Sequence, residues 1–326
     1  MTCVLTFCGI NIAITLEGFA DCEYTCRKIS ELHESDSLCG TSPVNNIIKG
    51  TVSFTHSDFA ASVTYDRSAK TLRVFADSRK YTGGRAVYYM AEYLAACLLA
   101  LERGTLMFHA AAVFSPHTKK SYIILGGKGA GKTTLTLYLC RELGMHIIAN
   151  DRVLSGLEDG KLFTYGGTSW LDVRRTALCA SSWLMENTRI NMPENDNVPS
   201  WNSKERILPA ELGIMKHSGR TETAKIYHIR KDIHQKNIYC GKWQGVQQSL
   251  LLHETFGRSI TGQTTPFLDD NGNYYGSLPL VEIEALMRAR DNFTRHIITA
   301  GVQEIFASSC HEIAEIMKGD MIPCSQ

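Results

Sequence analysis

A glycine-rich motif near the middle of the chain is the strongest chemical signal in the sequence. Residues 126–133 read GGKGAGKT and satisfy the pattern G-x-x-x-x-G-K-[ST]. Glycines allow positive φ angles and let backbone amides approach an oxyanion closely. A helix that begins at Lys132 would add free amides and a partial positive charge. The pattern predicts a phosphate-binding loop between a strand and a helix, and the alternative is a glycine turn without a ligand.

The residues of this loop have distinct predicted roles. Lys132 would reach the β- and γ-phosphates of a nucleotide, and the Thr133 hydroxyl would enter the coordination shell of Mg²⁺. Nucleotide phosphates would be held by the loop and the first helical turn, through Gly126, Gly127, Lys128, Gly129, Ala130, Gly131, Lys132, Thr133 and Thr134. The predicted cofactors are therefore ATP and Mg²⁺, and the loop does not distinguish ATP from GTP.

An acidic residue follows the next apolar run. Residues 145–149 predict a buried strand, and Asp151 stands beyond its C-terminal end, 19 residues after Lys132. If this strand lies near the loop, the Asp151 carboxylate is placed where a phosphate-bound metal would be. The short interval between lysine and acid favours a compact kinase-type core.

Three segments around this motif resemble a known family. FHAAAV at residues 108–113, IILGGKGAGKTT and IIANDRV are similar to the nucleotide-binding core of HPr kinase/phosphorylase and, more distantly, of phosphoenolpyruvate carboxykinase. Both families place a histidine on the strand before the loop and two aspartates on the strand after it. The resemblance implies that His109 orients the γ-phosphate or a metal-bound water, and that Asp151 is a metal ligand. Asn150 replaces the first aspartate, which is the proton acceptor in HPr kinase/phosphorylase, and an amide cannot take a proton.

A second, shorter match lies at residues 170–175, which read WLDVRR. The same family has an L-E-I-R-G signature whose acid faces the magnesium. Asp172 and Arg174 match this signature in residue type, whereas Arg175 replaces its last glycine. The resemblance implies that Asp172 is a metal ligand and that both residues act in catalysis. It covers about residues 105–180 well, the C-terminal third loosely and the first eighty residues hardly at all.

The predicted fold is α/β, with an HPr kinase/PEP carboxykinase-like P-loop core, a mixed β-sheet and a small, mostly β N-terminal module. Residues 1–80 are assigned to that module and residues 81–326 to the nucleotide-binding domain with C-terminal helices. Alternating segments at residues 51–66 and 70–77, the two arms, are joined at residues 66–70 and predict an antiparallel hairpin, and residues 158–160 predict another turn. Further helices are predicted at residues 86–101, 244–256 and 281–290, and Ser309 with Glu312 forms a capping box for a last one.

One long polar segment, residues 187–204, has no hydrophobic periodicity. A segment of this kind is either a lid or substrate-binding element, or a disordered surface excursion. Lys204 is its last residue and Arg206 follows it closely. They either reach the site to neutralise charge on the transferred phosphoryl group or are solvated surface charges.

Composition excludes several classes of protein. The formal net charge is +1 and basic residues are scattered, so nucleic acid is not an expected partner. Eleven cysteines occur without a C-x-x-C pair, which favours reduced thiols in a cytoplasm over disulfides or zinc. The N-terminus lacks the basic region of a signal peptide, and the apolar run at residues 86–101 carries Glu92, so no membrane partner is expected.

These features predict an ATP-dependent kinase that phosphorylates a hydroxyl. The acceptor is either a serine-like group of a peptide or protein or a small metabolite, and the sequence does not say which. Because Asn150 replaces the acid, we expect a kinase without phosphorylase activity. The alternative is a nucleotide-binding regulatory or interaction module without net phosphoryl transfer. Homo-oligomerisation and the role of the N-terminal module stay open. A third hypothesis, a decarboxylating carboxykinase, is disfavoured because the chain is short and has no recognisable oxaloacetate-binding arginine motif.

Overall fold

The computed structural model describes residues 1–35, 47–174, 204–243, 246–257 and 266–322. These residues form a mixed α/β protein, and the chain divides into two compact units. Unit 1 contains Met1–Phe108, Leu154–Gly160 and Val246–Thr299, and unit 2 contains His109–Val153, Lys161–Gly245 and Ala300–Gln326. Residues 1–80 fall within unit 1, which continues beyond them, and the domain boundary between residues 80 and 81 stays a prediction.

Unit 1 begins with a five-stranded sheet. Its strands are β1 (Thr2–Phe7), β2 (Ile10–Glu17), β3 (Ile48–His56), β4 (Ser62–Asp66) and β5 (Thr71–Ala76), in the order β1-β2-β3-β5-β4. The hairpin predicted around residues 66–70 is confirmed, because β4 and β5 pair antiparallel with Asp66 opposite Thr71. Only the second half of the predicted first arm, which is β4, takes part in this hairpin. The first half is β3, which runs parallel to both β2 and β5.

Helices in unit 1 follow the predicted apolar segments. They are α1 (Cys22–Ser35), α2 (Arg85–Arg103), α4 (Val246–Gly257) and α5 (Ile283–Ala300). Helix α2 is rich in Ala and Leu, which have high helix propensity. It ends at Gly104, whose left-handed backbone lets its amide bond the carbonyl of Ala100. None of the described helices is both long and apolar enough to cross a membrane.

The remaining strands of unit 1 are short. They are β6 (Leu106–His109), β10 (Arg152–Glu158), β16 (Pro266–Leu268) and β17 (Tyr274–Ser277), and β6 lies beside β10 in its sheet. The turn predicted at residues 158–160 is confirmed, since Asp159 and Gly160 both have positive φ.

Unit 2 carries the strands that flank the glycine motif. They are β7 (Ala111–Ser115), β8 (Lys120–Leu125), β9 (His146–Ala149), β11 (Lys161–Gly167), β14 (Thr221–Lys231), β15 (Tyr239–Lys242) and β18 (Gln303–Ala307). The order is β11-β14-β8-β7-β9, with β18 parallel to the C-terminal part of β14 and β15 antiparallel to β18. Strand β8 runs parallel to β14 and antiparallel to β7, so this sheet is mixed.

Two helices cover one face of this sheet. Helix α3 (Lys132–Glu142) follows β8, and α6 (Cys310–Met321) follows β18. Their apolar residues share a buried core with alternate residues of the strands, including Leu135, Leu139, Ile313, Ile124 and Tyr227. The predicted capping box of α6 is confirmed, because Ser309 Oγ accepts a hydrogen bond from the Glu312 amide. The remaining pair, β12 (Leu171–Arg174) and β13 (Lys204–Ile207), is antiparallel.

Candidate functional site

The glycine motif lies between a strand and a helix, in the order that the sequence predicts. Strand β8 ends at Leu125 and α3 begins at Lys132. Gly126, Gly129 and Gly131 have φ angles of +157°, +87° and +95°. A Cβ atom at position 126 would lie 2.8 Å from the carbonyl oxygen of Ile229, so a side chain there would collide with β14. Gly127 has open space around it, which leaves this part of the backbone accessible.

Lys132 points back into the loop that precedes it. Its side chain is buried, and Nζ donates hydrogen bonds to the carbonyl oxygens of Gly126, at 2.7 Å, and Gly127, at 3.2 Å. The predicted Thr133 is partly exposed, while Lys128 and Thr134 are exposed. The loop therefore presents an ammonium group together with the free amides of a helix N-terminus, a combination that suits a phosphate group.

Two further predicted residues meet at the edge of the sheet where this loop leaves β8. Ala111 of β7 lies opposite Ile124 of β8, so β7 starts where β8 ends. Ala149, the last residue of β9, lies opposite Ala112. His109 precedes β7 and Asp151 follows β9, and His109 Nδ1 lies 3.1 Å from Asp151 Oδ1. The backbones are also joined, because the Ala110 amide donates to the Asp151 carbonyl at 3.2 Å.

Asn150 precedes Asp151, and backbone hydrogen bonds hold it in place. Its amide donates to the carbonyl of Thr168, whose own amide donates to the carbonyl of Arg152. A Cβ atom at Gly167 would lie 1.8 Å from that Arg152 oxygen, so only glycine permits this approach. Residue Asn150 is 3% exposed, and its Oδ1 is buried without a hydrogen-bond partner among the described residues. A buried carbonyl oxygen of this kind can accept a hydrogen bond from a hydroxyl or coordinate a hard cation.

Asp172 and Arg174 lie on one face of β12, whereas Leu171 and Val173 point into the core shared with α3. Asp172 lies opposite Arg206 of β13, and its Oδ1 accepts a 3.2 Å hydrogen bond from Arg206 Nε. The predicted metal and catalytic roles of Asp172 and Arg174 stay predictions. Arg206 forms an ion pair with Asp172 and also lies over the Trp170 ring, 4.5 Å from its centroid. The segment 187–203 lies outside the described residues, as does Arg175.

The donor atoms at this edge fit magnesium better than a softer metal. Within the described ranges there is no group of three or more His, Cys, Asp or Glu side chains that could hold a metal ion. Magnesium in nucleotide sites needs only one or two protein carboxylates, since water and phosphate oxygens fill the other positions. The Asp151 carboxylate, the Thr133 hydroxyl and the buried Asn150 Oδ1 are oxygen donors of the required kind.

Sequence reasoning missed one cation beside the loop. The side chain of Lys231, the last residue of β14, lies against Gly131: a Cβ atom there would be 3.5 Å from Lys231 Cβ. The same Cβ atom would lie 3.1 Å from Cys310 Sγ, which also packs against Gly131. The signal in the sequence was the basic pair Arg230 and Lys231 at the end of the alternating apolar segment 224–230. The position of this pair next to the loop depends on the order of strands in the sheet.

Comparisons with known proteins include a weak structural likeness. No protein-family model matches the sequence, and no curated protein matches it. The solved structure of the Hpr(Ser) kinase/phosphatase from Coxiella burnetii is similar over 65% of this chain and 91% of that chain, at 12% sequence identity and a TM-score of 0.30. Because a TM-score of this size carries no argument about function, the function of this protein has to be inferred from its own residues.

Proposed function

We propose that this protein is an ATP-dependent kinase that transfers the γ-phosphoryl group to a hydroxyl. The observation that carries the proposal is the position of Lys132, which is buried within the glycine loop at the sheet edge that also holds His109 and Asp151. Phosphoryl transfer depends mainly on positioning and on stabilising charge at the phosphate oxygens. A cationic loop beside a carboxylate supplies both requirements.

Each side chain has a specific task in this proposal. Lys132 leaves the loop carbonyls to bind β- and γ-phosphate oxygens, and the loop amides hold the remaining phosphate charge. Asp151 and Thr133 hold Mg²⁺, which neutralises charge on the phosphates when bound. Asp151 also orients the His109 imidazole through Nδ1, so that Nε2 is available to the γ-phosphate. Asp172 remains a candidate magnesium-shell residue with Arg174 beside it, provided that Asp172 separates from Arg206.

Asn150 determines the direction of the reaction in this proposal. Provided that its buried side chain becomes accessible, the amide oxygen can accept the hydrogen bond of the acceptor hydroxyl and so align the hydroxyl oxygen with the γ-phosphorus. It cannot remove the proton, which passes to a phosphate oxygen as the new ester forms. In a loose transition state this proton leaves late, so the forward transfer tolerates the amide. Attack of inorganic phosphate on a phosphoserine needs more acid–base help, and we propose that this activity is absent.

The acceptor is proposed to be a serine-like hydroxyl of a peptide or protein, or a small metabolite. GTP is an alternative donor, because the proposed contacts involve phosphates and no base. A cytoplasmic location and self-association stay predictions.

The first test is nucleotide binding. Calorimetric titration with Mg·ADP should give a dissociation constant that weakens at least about tenfold in Lys132→Ala and Lys132→Met, since a charge-assisted contact is worth more than about 1.4 kcal/mol. Lys161→Ala, at an exposed position in β11, is the matched control and should bind like the wild type. Unchanged affinity in both Lys132 variants would refute the assignment of the site.

The second test is phosphoryl transfer itself. Incubation with γ-labelled ATP, Mg²⁺ and pools of hydroxyl-bearing peptides or metabolites should label an acceptor, and Lys132→Ala should abolish the label. A regulatory nucleotide-binding module is the second candidate, and the amide at Asn150 favours it. In that case binding would depend on Lys132 while no acceptor becomes labelled and ADP formation stays at the level of Lys132→Ala.

A further inference from the structure

A second group of polar side chains lies on the strand next to the glycine loop. His228 of β14 is opposite Leu125, the residue that precedes Gly126. Its Nδ1 lies 3.2 Å from Oε1 of Glu304 on β18, and the same oxygen accepts a 2.8 Å hydrogen bond from Trp243 Nε1. The imidazole also stacks on the Trp243 ring, with the centroids 4.4 Å apart and the planes 25° from parallel.

This arrangement fixes the ring and its tautomer. Glu304 accepts from Nδ1, and therefore Nε2 is the nitrogen that gains or loses a proton. The His228 and Glu304 side chains are 20% and 16% exposed, so their charges are poorly screened by solvent. Neither residue has a part in the nucleotide-binding contacts proposed above, and neither is explained by packing alone, because the neighbouring Tyr227 and Ile229 fill the core on the other face of the sheet.

The charged groups around His228 come from three elements. Burial lowers the pKa of His228, Glu304 on β18 raises it, and Lys132 at the start of α3 and Arg230 on β14 lower it further; the net result is a lowered pKa. Because His228 lies opposite Leu125, where the glycine loop begins, the charge of Lys132 in that loop opposes protonation of the imidazole. A phosphate group bound by Lys132 would compensate that charge and add a negative charge of its own.

We propose that His228, positioned by Glu304 and Trp243, binds a proton when the glycine loop binds a phosphate group, and that this proton strengthens phosphate binding. The inference rests on the proposed nucleotide site and names a residue through which that site responds to pH. The imidazole takes the proton from solvent at Nε2 while Nδ1–H stays on Glu304. By linkage, phosphate affinity must then rise as pH falls between the His228 pKa of the complex and that of the free protein.

Two measurements test the linkage. Calorimetric titration with Mg·ADP and with magnesium tripolyphosphate, in buffers of different ionisation enthalpy, gives the number of protons taken up. A terminal phosphate itself titrates near pH 6, so the decisive quantity is the difference between wild type and His228→Gln with the same ligand. The wild type should take up more protons, and its affinity should change more steeply with pH. The extra change in affinity is about tenfold for each unit by which the His228 pKa differs between the complex and the free protein.

Nuclear magnetic resonance gives a direct readout without enzyme activity. The imidazole signal that disappears in His228→Gln should titrate at higher pH in the wild type when ligand is present. Glu304→Gln should lower that titration point, because it removes the charge that favours the imidazolium. His234→Gln is the matched control, since His234 is an exposed histidine near the end of the same strand, and it should behave like the wild type.

The outcomes separate this inference from the proposed function. If wild type binds the ligands, Lys132→Ala does not, and the proton uptake of wild type and His228→Gln is the same, the inference is wrong and the nucleotide site stands. The same conclusion follows if the His228 signal titrates identically with and without ligand. If neither ligand binds in a way that depends on Lys132, the proposed function fails and the inference fails with it.

Discussion

The Nδ1 atom of His109 lies 3.1 Å from Oδ1 of Asp151, although the two residues belong to different segments of the chain. Their side chains are 37% and 47% exposed, and an ion pair this accessible contributes at most about 1 kcal/mol to stability. Stabilisation of the fold therefore does not explain this pair well, and its position beside the glycine loop suits a role in the candidate site better. The pair orients an imidazole and a carboxylate beside the loop that contains Lys132.

Asp151→Asn should weaken magnesium-dependent nucleotide binding. The substitution keeps the size of the side chain and removes the negative charge that we propose for Mg²⁺. Binding of Mg·ADP should weaken about tenfold or more, while binding of ADP without metal changes little. The unfolding midpoint should stay close to that of the wild type, because the pair is exposed.

Asp159→Asn is the control for this experiment, because Asp159 lies in an exposed turn with a positive φ that asparagine tolerates. Calorimetry with and without Mg²⁺ separates the two contributions. Equal weakening in the presence and absence of the metal would show that Asp151 does not serve as a magnesium ligand.

Lys231→Met should weaken phosphate binding by a smaller amount than the Lys132 variants. The Lys231 stem packs on Gly131, so its ammonium adds one exposed charge near the loop. Such a charge is worth about 1 kcal/mol, or roughly fivefold in affinity, and the effect should shrink in high salt. Lys161→Met is the matched control, because Lys161 is an exposed lysine at the start of β11 in the same sheet. Equal losses in the two variants would mean that only net charge matters.

Local features of this site could be predicted, and long-range pairings could not. The loop, the residues at the end of β9 and the capping box of α6 depend on nearby residues, whose chemistry is visible in the sequence. The pairing of Asp172 with Arg206 depends instead on the register of β12 and β13, which are far apart in the chain. The Glu304 partner of His228 depends on β18 lying next to β14. Hydrophobic alternation identifies strands, but it does not specify which strands become neighbours.

Asn150→Asp should give the free energy of unfolding a pH dependence that the wild type lacks. A carboxylate at this buried position next to Asp151 has a pKa raised by desolvation and by the neighbouring charge. The pKa of this carboxyl in the folded state is then above its value in the unfolded state. The loss of unfolding free energy is therefore absent at low pH and appears as pH rises through the folded-state pKa. The unfolding midpoint of the variant should match the wild type near pH 4 and fall below it at pH 8.

The same variant tests the proposed role of the amide in transfer. Kinase activity toward a labelled acceptor should be unchanged or faster, since the added carboxylate can take the hydroxyl proton. Phosphate-dependent dephosphorylation of the product should appear in the variant only. Robust dephosphorylation by the wild type would contradict the assignment of Asn150 as the residue that prevents the reverse reaction.

Asp320→Asn should destabilise unit 2 at neutral pH and have less effect in acid. Asp320 Oδ2 accepts hydrogen bonds from Tyr227, at 2.5 Å, and Lys225, at 2.8 Å, which tie the end of α6 to β14. Burial raises the pKa of Asp320, but these hydrogen bonds outweigh it and the net pKa is lowered. The stabilisation is therefore present above the unfolded-state pKa and is lost as pH falls through the folded-state value. Because the carboxylate is partly exposed, we expect a loss of about 1 kcal/mol in the free energy of unfolding at pH 7. Urea titrations at pH 7 and pH 3 measure this loss of unfolding free energy. Glu315→Gln, on the exposed side of the same helix, serves as the control. An equal loss at both pH values would show that the charge of Asp320 does not hold α6 in place.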